Sequence, residues 1–375
     1  MKILFAGGGT GGHFYPIIAV AEALNALSDK EHIVGLSLYY MSDDPYNKDL
    51  LFKNRISYIE VRTGKRRTYF SIKNFTDPFK TLLGCIIALW KVFRIYPDVV
   101  FGKGGYASFP ALFAARILRI PVIVHESDII PGKVNRWISA YAAKVAISYP
   151  EAIAHFPHKD RVALTGNPIL KEMMDPVTED PVQLFHLEPE VPILLVLGGS
   201  QGSERINETV MDVLPKLVAQ YQIIHQTGKE NYPWMKKRAE GMLSGNIHAA
   251  RYKAFAYLEQ KTLRAAAQAS SLIISRAGST IFEIAIWGKP SILIPLAIAR
   301  DDHQRENAYS YSRMGACTVI EEKNLKAELF YSVIEQLMRD PQKRAQMSEG
   351  AKSFVHTDAA TIIAKAILSI AIKHA

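Results

Sequence analysis

The sequence predicts an α/β protein with two domains, each built on a doubly wound parallel sheet, that face one cleft. Strand-like apolar runs alternate with helix-like segments along the chain, which is typical of βαβ units. The length of 375 residues exceeds the size at which a single core keeps growing, so two domains are expected. A glycine-rich turn also occurs twice, at residues 7–12 and 198–202, each time between an apolar run and a helix-like segment.

In the first half, the apolar runs predict six strands at residues 3–6, 33–40, 58–61, 99–101, 122–125 and 145–148. In the second half they predict strands at 193–197, 222–227, 248–251, 272–275, 291–294 and 317–320. The longer segments between them predict helices, among them 16–27, 110–118, 202–218, 279–287 and 304–314. We place the hinge between residues 149 and 166, which predicts domains at 1–160 and 161–350, and a last helix within 351–375.

The composition is that of an ordinary folded protein, with 49% apolar and 22% charged residues. The two cysteines, Cys85 and Cys317, lie in apolar contexts, so we expect reduced thiols and a cytoplasmic location. We expect no signal peptide, because the N-terminus runs directly into a strand-like segment. The longest apolar stretch, residues 82–90, is shorter than the roughly 20 residues of a membrane-spanning helix.

The net charge of +9 is concentrated in one segment, residues 53–94, which carries ten Lys or Arg residues and two acids. The helix-like part of this segment has more apolar residues than a helix needs to pack one face against a core. Basic residues beside an exposed apolar face are typical of a membrane-surface patch. The alternative is a buried helix with solvated ends. Nucleic-acid binding is not expected, because no recognisable nucleic-acid motif accompanies the charge.

The first glycine turn satisfies G-x-G-x-x-G through Gly7, Gly9 and Gly12, so a dinucleotide site is one interpretation. The acid expected about 20 residues later is not clearly placed. His13 follows the last glycine, where an imidazole facing the cleft could act as a base near neutral pH. A packed or capping histidine is the alternative.

A second candidate segment, residues 275–283, ends a strand and opens a helix. Gly278, Ser279 and Thr280 could present N–H groups and hydroxyls to phosphate, and Glu283 could accept hydrogen bonds from a ribose diol. An ordinary capped helix would use the same residues. The chain has no Asp-x-Asp pair and no metal-ligand spacing of Cys and His, so no metal and no cofactor is predicted.

Taken in order, these motifs resemble the MurG family, the peptidoglycan N-acetylglucosaminyltransferases that convert lipid I to lipid II. The resemblance runs from about residue 2 to about residue 320. It is carried by the residues Gly8-Gly9-Thr10-Gly11-Gly12-His13, Gly104-Gly105-Tyr106, His125-Glu126-Ser127-Asp128, Pro131-Gly132, Gly166-Asn167-Pro168, Gly198-Gly199-Ser200-Gln201-Gly202, Ser275-Arg276-Ala277-Gly278 and Asp302-His303-Gln304.

The resemblance implies a GT-B glycosyltransferase fold of two Rossmann-like domains, with the last helix crossing back to the N-terminal domain. The donor UDP-N-acetylglucosamine would bind mainly to the C-terminal domain. Ser200 and Gln201 would lie near the diphosphate, Phe255 and Ala256 near uracil, Thr280 near phosphate, Glu283 on the ribose, and His303 with Gln304 on the sugar. The remaining implied donor residues are Thr10, Gly11, Gly12, Asn167, Arg276, Gly278 and Ser279.

The acceptor, a polyprenyl-diphosphate lipid, would bind the N-terminal domain through Gly104, Gly105 and Tyr106. That domain would rest on the anionic inner leaflet, at the cytoplasmic face of the cell membrane, as a peripheral protein. The implied membrane residues are Phe75, Phe79, Lys80, Leu82, Ile86, Trp90, Lys91 and Arg94.

The implied mechanism is an inverting, metal-independent transfer. His13 would remove the proton from the acceptor 4-hydroxyl, which displaces UDP, while N–H groups and a helix start stabilise the leaving charge. Three departures from the family pattern matter. The spacing from Arg276 to Glu283, which bears on the assignments of Thr280 and Glu283, is one residue shorter than is usual in the family. Leu170 stands where the family often has Arg, so Arg276 or Lys103 could supply a cationic contact. Asp128 stands where many members have Asn, and it could orient the acceptor or assist His13.

Other functions are compatible with the same sequence features. The same fold could carry a transferase for another lipid or small-molecule acceptor, or a UDP-sugar epimerase. A nicotinamide- or flavin-dependent oxidoreductase and a non-catalytic membrane adaptor belong to different classes.

Overall fold

The computed structural model describes residues 1–64, 73–199, 201–297 and 302–374, with the backbone alone for residues 73–75. The chain forms two compact units. Unit 1 comprises Met1–Lys171 together with His356–Ala375, and unit 2 comprises Glu172–Val355.

Unit 1 contains a seven-stranded sheet in the order β3-β2-β1-β4-β5-β6-β7, in which every neighbouring pair is parallel. Most of its central strands are buried along their whole length, as expected for a parallel sheet with helices on both faces. The strands are β1 (Lys2–Ala6), β2 (Ser37–Ser42), β3 (Ile56–Glu60), β4 (Val99–Gly102), β5 (Val122–Glu126), β6 (Lys144–Ile147) and β7 (Val162–Leu164).

The helices of unit 1 are α1 (Gly11–Lys30), α2 (Lys48–Lys53), α3 (Lys73–Ile95), α4 (Phe109–Ile117), α5 (Lys133–Ser139) and the last helix, α15 (Ala359–His374). Leu4 and Ala6 of β1 belong to a core that includes buried residues of α3, α4 and α5. Helix α15 packs against α1 and β4. Unit 1 is therefore completed by the end of the chain.

Unit 2 contains a six-stranded parallel sheet in the order β10-β9-β8-β11-β12-β13. Its strands are β8 (Ile193–Leu197), β9 (Gln222–Gln226), β10 (Tyr252–Phe255), β11 (Leu272–Ser275), β12 (Ser291–Leu293) and β13 (Cys317–Val319). The helices are α6 (Lys171–Met174), α7 (Pro181–Phe185), α8 (Glu204–Gln220), α9 (Tyr232–Met242), α10 (Gln260–Ala269), α11 (Thr280–Ile286), α12 (His303–Arg313), α13 (Ala327–Arg339) and α14 (Pro341–Phe354).

Alternate residues of β8 enter two different cores. Leu194 and Val196 join the core that includes α8 and α13, whereas Leu195 and Leu197 join the core that includes α11 and α12. This is the alternation that a strand covered on both faces requires. The continuous apolar run at 193–197 thus has the buried role that the sequence predicted.

Several sequence-based boundaries differ from the structure. The strand predicted at 248–251 was wrong, because His248 N–H bonds Asn246 Oδ1 in a turn and β10 begins only at Tyr252, opposite Ile223. Residues 162–164 were not predicted as a strand, yet they pair with β6 as β7. Unit 1 consequently ends at Lys171, beyond the predicted hinge and the predicted boundary at residue 160.

Within the part of the chain that the structure describes, one tract, Pro341–His374, is long and apolar enough by length and composition to cross a membrane. It consists of two helices, α14 and α15, separated by residues 355–358. Ile363, Ile367 and Leu368 of α15 are buried in unit 1, so α15 serves as a core helix there.

Candidate functional site

Both sheets reverse their strand order at a central strand. In unit 1 the chain leaves β1 toward β2 on one side and later returns to β4 on the other, and in unit 2 β8, β9 and β11 repeat this arrangement. Ligands of open parallel sheets bind outside the carboxyl ends of the strands at such a reversal. The two glycine turns follow β1 and β8, so each lies at the reversal point of its own sheet.

In unit 1 the glycine turn after β1 packs against the turn after β4. A Cβ at Gly9 would lie 2.9 Å from Cε1 of Tyr106, and a Cβ at Gly105 would lie 3.3 Å from Cε1 of His13 and 3.1 Å from the Gly8 carbonyl oxygen. Gly105 has φ +79°, a conformation that favours glycine. The structure therefore brings two predicted motifs, residues 8–13 and 104–106, into contact.

His13 lies in the first turn of α1 and is half-buried. The Thr10 hydroxyl lies 3.0 Å from His13 Nδ1, and this contact orients the ring. Gly12 is half-buried and Gly11 is buried, close to the Tyr46 hydroxyl. Tyr106 donates a hydrogen bond to Asp43 (2.8 Å), which fixes its ring beside the glycine turn.

The loop after β5 is organised around the Glu126 carboxylate. It accepts hydrogen bonds from the N–H groups of Ser127 (2.9 Å), Asp128 (3.1 Å) and Gly132 (3.0 Å), and from Asn135 Nδ2 (3.0 Å). Asp128, predicted as a catalytic residue, is half-buried in this loop. Glu126 thus has a structural role that holds the loop in shape.

Asn167 lies in unit 1, not in the second domain as the predicted boundary implied, because β7 belongs to the first sheet. Its Oδ1 atom is buried without a hydrogen-bond partner. Leu170 is buried, with 3% of its surface exposed.

In unit 2 the glycine turn after β8 packs against the turn after β9. A Cβ at Gly202 would lie 2.1 Å from the Thr227 carbonyl oxygen, whereas a Cβ at Gly199 would meet nothing within 4 Å. Gln201 is exposed. Ser200 lies outside the described residues. The turn therefore has one tightly packed end and one end that faces open space.

Arg276 follows β11 and is held by three groups. Its guanidinium donates to Ser203 Oγ (2.6 Å), to the Ile294 carbonyl oxygen (3.1 Å) and to the Glu322 carboxylate. Ser203 is the N-cap residue of α8, directly after the glycine turn. Arg276 thus ties that turn to β11 and to Glu322.

Gly278, Ser279 and Thr280 are all half-buried at the start of α11. A Cβ at Gly278 would meet nothing within 4 Å. Glu283 lies in the first turn of α11, and burial raises the pKa of its carboxyl to about 7. Among the described residues no hydrogen bond or ion pair to this carboxylate is present, which is the condition for accepting hydrogen bonds from a ligand.

Glu283→Gln is expected to stabilise unit 2 at alkaline pH. Because the folded-state pKa lies above the unfolded value, the ionised carboxylate destabilises the fold; the cost begins above about pH 4.5 and is complete above pH 7. We expect the free energy of unfolding to rise by roughly 2 kcal/mol at pH 8, and to change little at pH 4. Denaturant titrations at both pH values measure it. Glu328→Gln, at an exposed first-turn position of α13, is the control, and equal effects of the two variants would contradict the prediction.

The remaining predicted donor residues lie near the carboxyl ends of β10 and β12. Phe255 ends β10 and packs edge-to-face on Phe185, with ring centroids 5.7 Å apart; Ala256 follows it and is half-buried. His303 begins α12. The side-chain oxygen of Gln304 accepts a hydrogen bond from the Leu296 N–H (3.0 Å), which leaves the amide nitrogen as a donor.

Sequence reasoning missed two groups of unit 2. Gln226 donates to the Gly199 carbonyl oxygen (3.1 Å) and accepts from the Leu258 N–H (2.8 Å), so one side chain joins the loops after β8 and β10. His225 lies between Asn207 and Tyr252 at 3.0 Å from each, and burial lowers its pKa to about 3. Both residues belong to the strand-like segment at 222–227, and polar residues within a buried strand are the signal that could have found them.

Helix α3 exposes a row of large apolar side chains, which we call the α3 apolar face: Phe79, Leu82, Leu83, Ile86, Trp90 and Phe93. Their exposed fractions range from 57% to 76%. The side chain of Phe75 lies outside the described residues. Arg94 stacks on Trp90 at 5.0 Å, Lys91 donates to the Glu60 carbonyl oxygen, and Lys80 lies 3.8 Å from Asp77.

No group of three or more His, Cys, Asp or Glu residues that could hold a metal ion occurs within residues 1–64, 73–199, 201–297 and 302–374.

The family models agree with this architecture. Residues 3–147 match the glycosyltransferase family 28 N-terminal domain, and residues 193–363 match its C-terminal domain. The solved structure of Acinetobacter baumannii MurG has a TM-score of 0.73 to this chain at 25% identity, covering 98% of this chain and 99% of that one. UDP-N-acetylglucosamine 2-epimerase from Neisseria meningitidis has a TM-score of 0.70 at 18% identity, covering 98% and 100%, and this likeness concerns the fold alone.

The curated relatives indicate the family more narrowly than the family models do. A Clostridium botulinum protein (strain Hall) is 34% identical over 94% of this chain and 97% of its own length. A Bacillus cereus protein is 34% identical over 91% and 93%. Both are named UDP-N-acetylglucosamine–N-acetylmuramyl-(pentapeptide) pyrophosphoryl-undecaprenol N-acetylglucosamine transferase.

The fold and the family models together define a glycosyltransferase with two parallel-sheet domains of the GT-B type. The chain belongs to glycosyltransferase family 28 and, within it, to the MurG family of N-acetylglucosamine transferases. The predicted fold class and enzyme class are confirmed.

Proposed function

We propose that this chain transfers N-acetylglucosamine from UDP-N-acetylglucosamine to lipid I, the undecaprenyl-diphosphate-linked N-acetylmuramoyl pentapeptide. The acceptor is its 4-hydroxyl, and the product is lipid II for peptidoglycan synthesis. The observation that carries the proposal is the oriented imidazole of His13 at the start of α1, in a chain whose relatives are named for this transfer over more than nine-tenths of its length.

His13 serves as the general base. It takes the proton of the acceptor 4-hydroxyl, and the oxygen attacks the anomeric carbon of the donor from the face opposite UDP. The bond from that carbon to the UDP oxygen breaks, and the α-linked donor gives a β-linked product. A half-buried imidazole suits this role because its pKa lies near neutral pH when unperturbed.

The donor is held mainly by unit 2. Gly199, in the turn that precedes α8, and Gly278, at the start of α11, leave open space, where N–H groups without helical partners can receive the diphosphate. Glu283 accepts hydrogen bonds from the ribose diol, and Phe255 with Ala256 flanks uracil. Gln201, Ser200, Ser279, Thr280, His303 and Gln304 complete the site. Thr10, Gly11 and Gly12 add N–H groups from unit 1.

The direct test is incorporation of labelled N-acetylglucosamine into a lipid I analogue by the purified full chain, with UDP release measured in parallel. We expect equal turnover with and without a chelator. Turnover on a different lipid acceptor but not on the lipid I analogue would overturn the assigned acceptor. Loss of turnover on chelation would contradict the metal-independent mechanism.

We further propose that the protein acts peripherally at the cytoplasmic face of the cell membrane, with the α3 apolar face against the anionic leaflet. Six large apolar side chains on one exposed helix face support this, because exposed apolar patches of this kind mark interaction sites. The flanking segment has a local excess of basic residues, which favours anionic lipid.

Replacing Leu82 and Ile86 together with serine is expected to weaken binding to vesicles that contain phosphatidylglycerol by at least tenfold. Each buried apolar side chain contributes about 1.5 kcal/mol or more when it enters an apolar phase. Vesicle co-sedimentation measures the partitioning. The control is Ile247→Ser, at a position of unit 2 with 90% exposure, and its binding should equal that of the wild type. If the double variant partitions to the vesicles as the wild type does, the assignment of the α3 apolar face to membrane binding is refuted.

A further inference from the structure

Arg276 and Glu322 form an ion pair beside the carboxyl ends of the strands in the second sheet. Arg276 follows β11 directly, and Glu322 lies three residues after β13. Their side chains are in direct contact, and only 11% and 14% of them is exposed. A largely buried ion pair often stabilises a fold no more than apolar residues of the same volume, so its other contacts indicate its role better than its burial does.

The guanidinium of Arg276 joins this pair to the glycine turn after β8. It donates to Ser203 Oγ (2.6 Å) and to the carbonyl oxygen of Ile294, just after β12 (3.1 Å). Ser203 Oγ also accepts from the Ile206 N–H (3.4 Å) as the N-cap of α8. A cation beside a helix N-terminus is unfavourable, because the helix dipole is positive there. The Glu322 carboxylate offsets this charge and keeps the guanidinium next to Ser203.

The second oxygen of Glu322 holds the loop after β12. It accepts a hydrogen bond from the Ala297 N–H (2.9 Å), and the N–H of Leu296 donates to the side-chain oxygen of Gln304 (3.0 Å). His303 and Gln304 open α12, and both are assigned to the donor sugar. One carboxylate therefore connects the turn assigned to the diphosphate with the loop beside the residues assigned to the sugar.

We propose that Glu322 is a positioning residue for the donor. Its carboxylate holds the glycine turn after β8 and the loop at 296–297 in the geometry that binds diphosphate and sugar together. Groups that are already ordered bind more tightly, because less entropy is lost on binding. This inference rests on the proposed function. The alternative is that Arg276 binds the diphosphate itself and that Glu322 competes for it.

The test compares the dissociation constants of UDP and UDP-N-acetylglucosamine, measured by calorimetric titration of the full chain and of Glu322→Gln. Glutamine keeps the size of the side chain and removes its charge. We expect the affinity for UDP to fall about threefold and that for UDP-N-acetylglucosamine about thirtyfold. The contribution of the sugar thus falls about tenfold, the effect of one charge-assisted hydrogen bond.

Three other results would overturn the inference. Unchanged affinities would show that Glu322 positions nothing that the donor uses. Losses by the same factor for both ligands would indicate general damage to unit 2. A gain in UDP affinity would favour the alternative, in which removal of the carboxylate releases Arg276 to the diphosphate.

A second variant tests whether the effect passes through Arg276. Arg276→Lys keeps the charge but lacks the planar fork that reaches Ser203, Ile294 and Glu322 together. It should reduce the sugar contribution as Glu322→Gln does, and the double variant should lose no more than either single variant, because both changes interrupt one connection. Additive losses would contradict this shared role.

A pair of substitutions covers the case in which Glu322→Gln does not fold. Arg276→Met combined with Glu322→Met removes both charges at once, so that neither is left buried alone. The doubly substituted chain should fold and show the same tenfold loss of the sugar contribution. A wild-type ratio of the two dissociation constants in this variant would overturn the inference.

Glu188→Gln is the matched control. Glu188 pairs with Arg251 (2.7 Å), and both residues precede the strands β8 and β10, at the opposite edge of the same sheet. Its affinities for both ligands should equal those of the wild type. A selective loss of the sugar contribution in this variant would show that the position of Glu322 is not what matters.

Hydrogen exchange without ligand provides a readout independent of the donor. Glu322→Gln should speed the exchange of the Ala297 and Ile206 amides about threefold or more, and leave that of Ile224 in β9 unchanged. Unchanged exchange at both of the first two amides would contradict the inference. If the exchange changes as expected but the wild type neither binds UDP-N-acetylglucosamine nor transfers its sugar, the proposed function fails and the connection through Glu322 stands.

Discussion

Replacing His13 with alanine is expected to lower kcat for transfer to the lipid I analogue by about a thousandfold, within the range that a general base contributes. The affinity for UDP should change little, because the donor is assigned mainly to unit 2. Initial rates of UDP release and calorimetric titration with UDP measure the two quantities separately.

Two further variants test whether the loss of turnover comes from the oriented imidazole of His13. Thr10→Ala removes the hydroxyl that contacts His13 Nδ1 at 3.0 Å, and it should cost about tenfold in kcat, since the ring stays present but less oriented. His158→Ala, at an exposed position of unit 1, should leave turnover unchanged. Retention of full turnover by His13→Ala would remove the catalytic assignment and favour a non-catalytic role for unit 1.

Gly202→Ala is expected to lower the free energy of unfolding by about 3 kcal/mol, from backbone strain together with overpacking. Gly202 has φ +81°, and its new Cβ would lie 2.1 Å from the Thr227 carbonyl oxygen and 2.9 Å from Gly228 Cα. Neither backbone atom can move without displacing the end of β9. UDP affinity should fall more than tenfold, because the turn after β8 is assigned to the diphosphate.

Gly199→Ala is the matched comparison within the same turn. Gly199 has φ +87°, but a Cβ there would meet nothing within 4 Å. The Gly199→Ala variant therefore carries the backbone strain alone, and we expect its free energy of unfolding to fall by about 1 kcal/mol. Denaturant unfolding of both variants separates steric overlap from strain. Equal destabilisation would show that the contact with Thr227 is not what requires glycine at position 202.

Much of the fold was predictable because its signals are local. A buried parallel strand needs a continuous apolar run, and β1, β5, β8 and β11 each lie within or beside such a run in the predicted positions. The short edge strand β7 has partly exposed residues, so it carries no such run. It is a strand because β6 offers it hydrogen bonds, and this moved the domain boundary.

The candidate site also has a part that could be predicted from the sequence and a part that could not. The motifs at residues 8–13 and 104–106 were visible as sequence, and their contact through Gly105 and His13 follows from neighbouring parallel strands. The role of Gln226 was not visible. Gln226 joins two loops that lie 59 residues apart at Gly199 and Leu258, and a single sequence does not show which distant backbone groups its amide will meet.

The sequence by itself determined the family, the alternation of strands and helices, and the two glycine turns, because apolar periodicity and glycine conformation act over a few residues. The tertiary structure alone decided that Arg276 is occupied by Ser203 and Glu322, that the α3 apolar face is exposed, and that Lys103 is buried with its ammonium on Ser127 Oγ. Burial and charge pairing depend on which distant segments the packed sheets bring together, and this is the physical reason why they had to be seen in the structure.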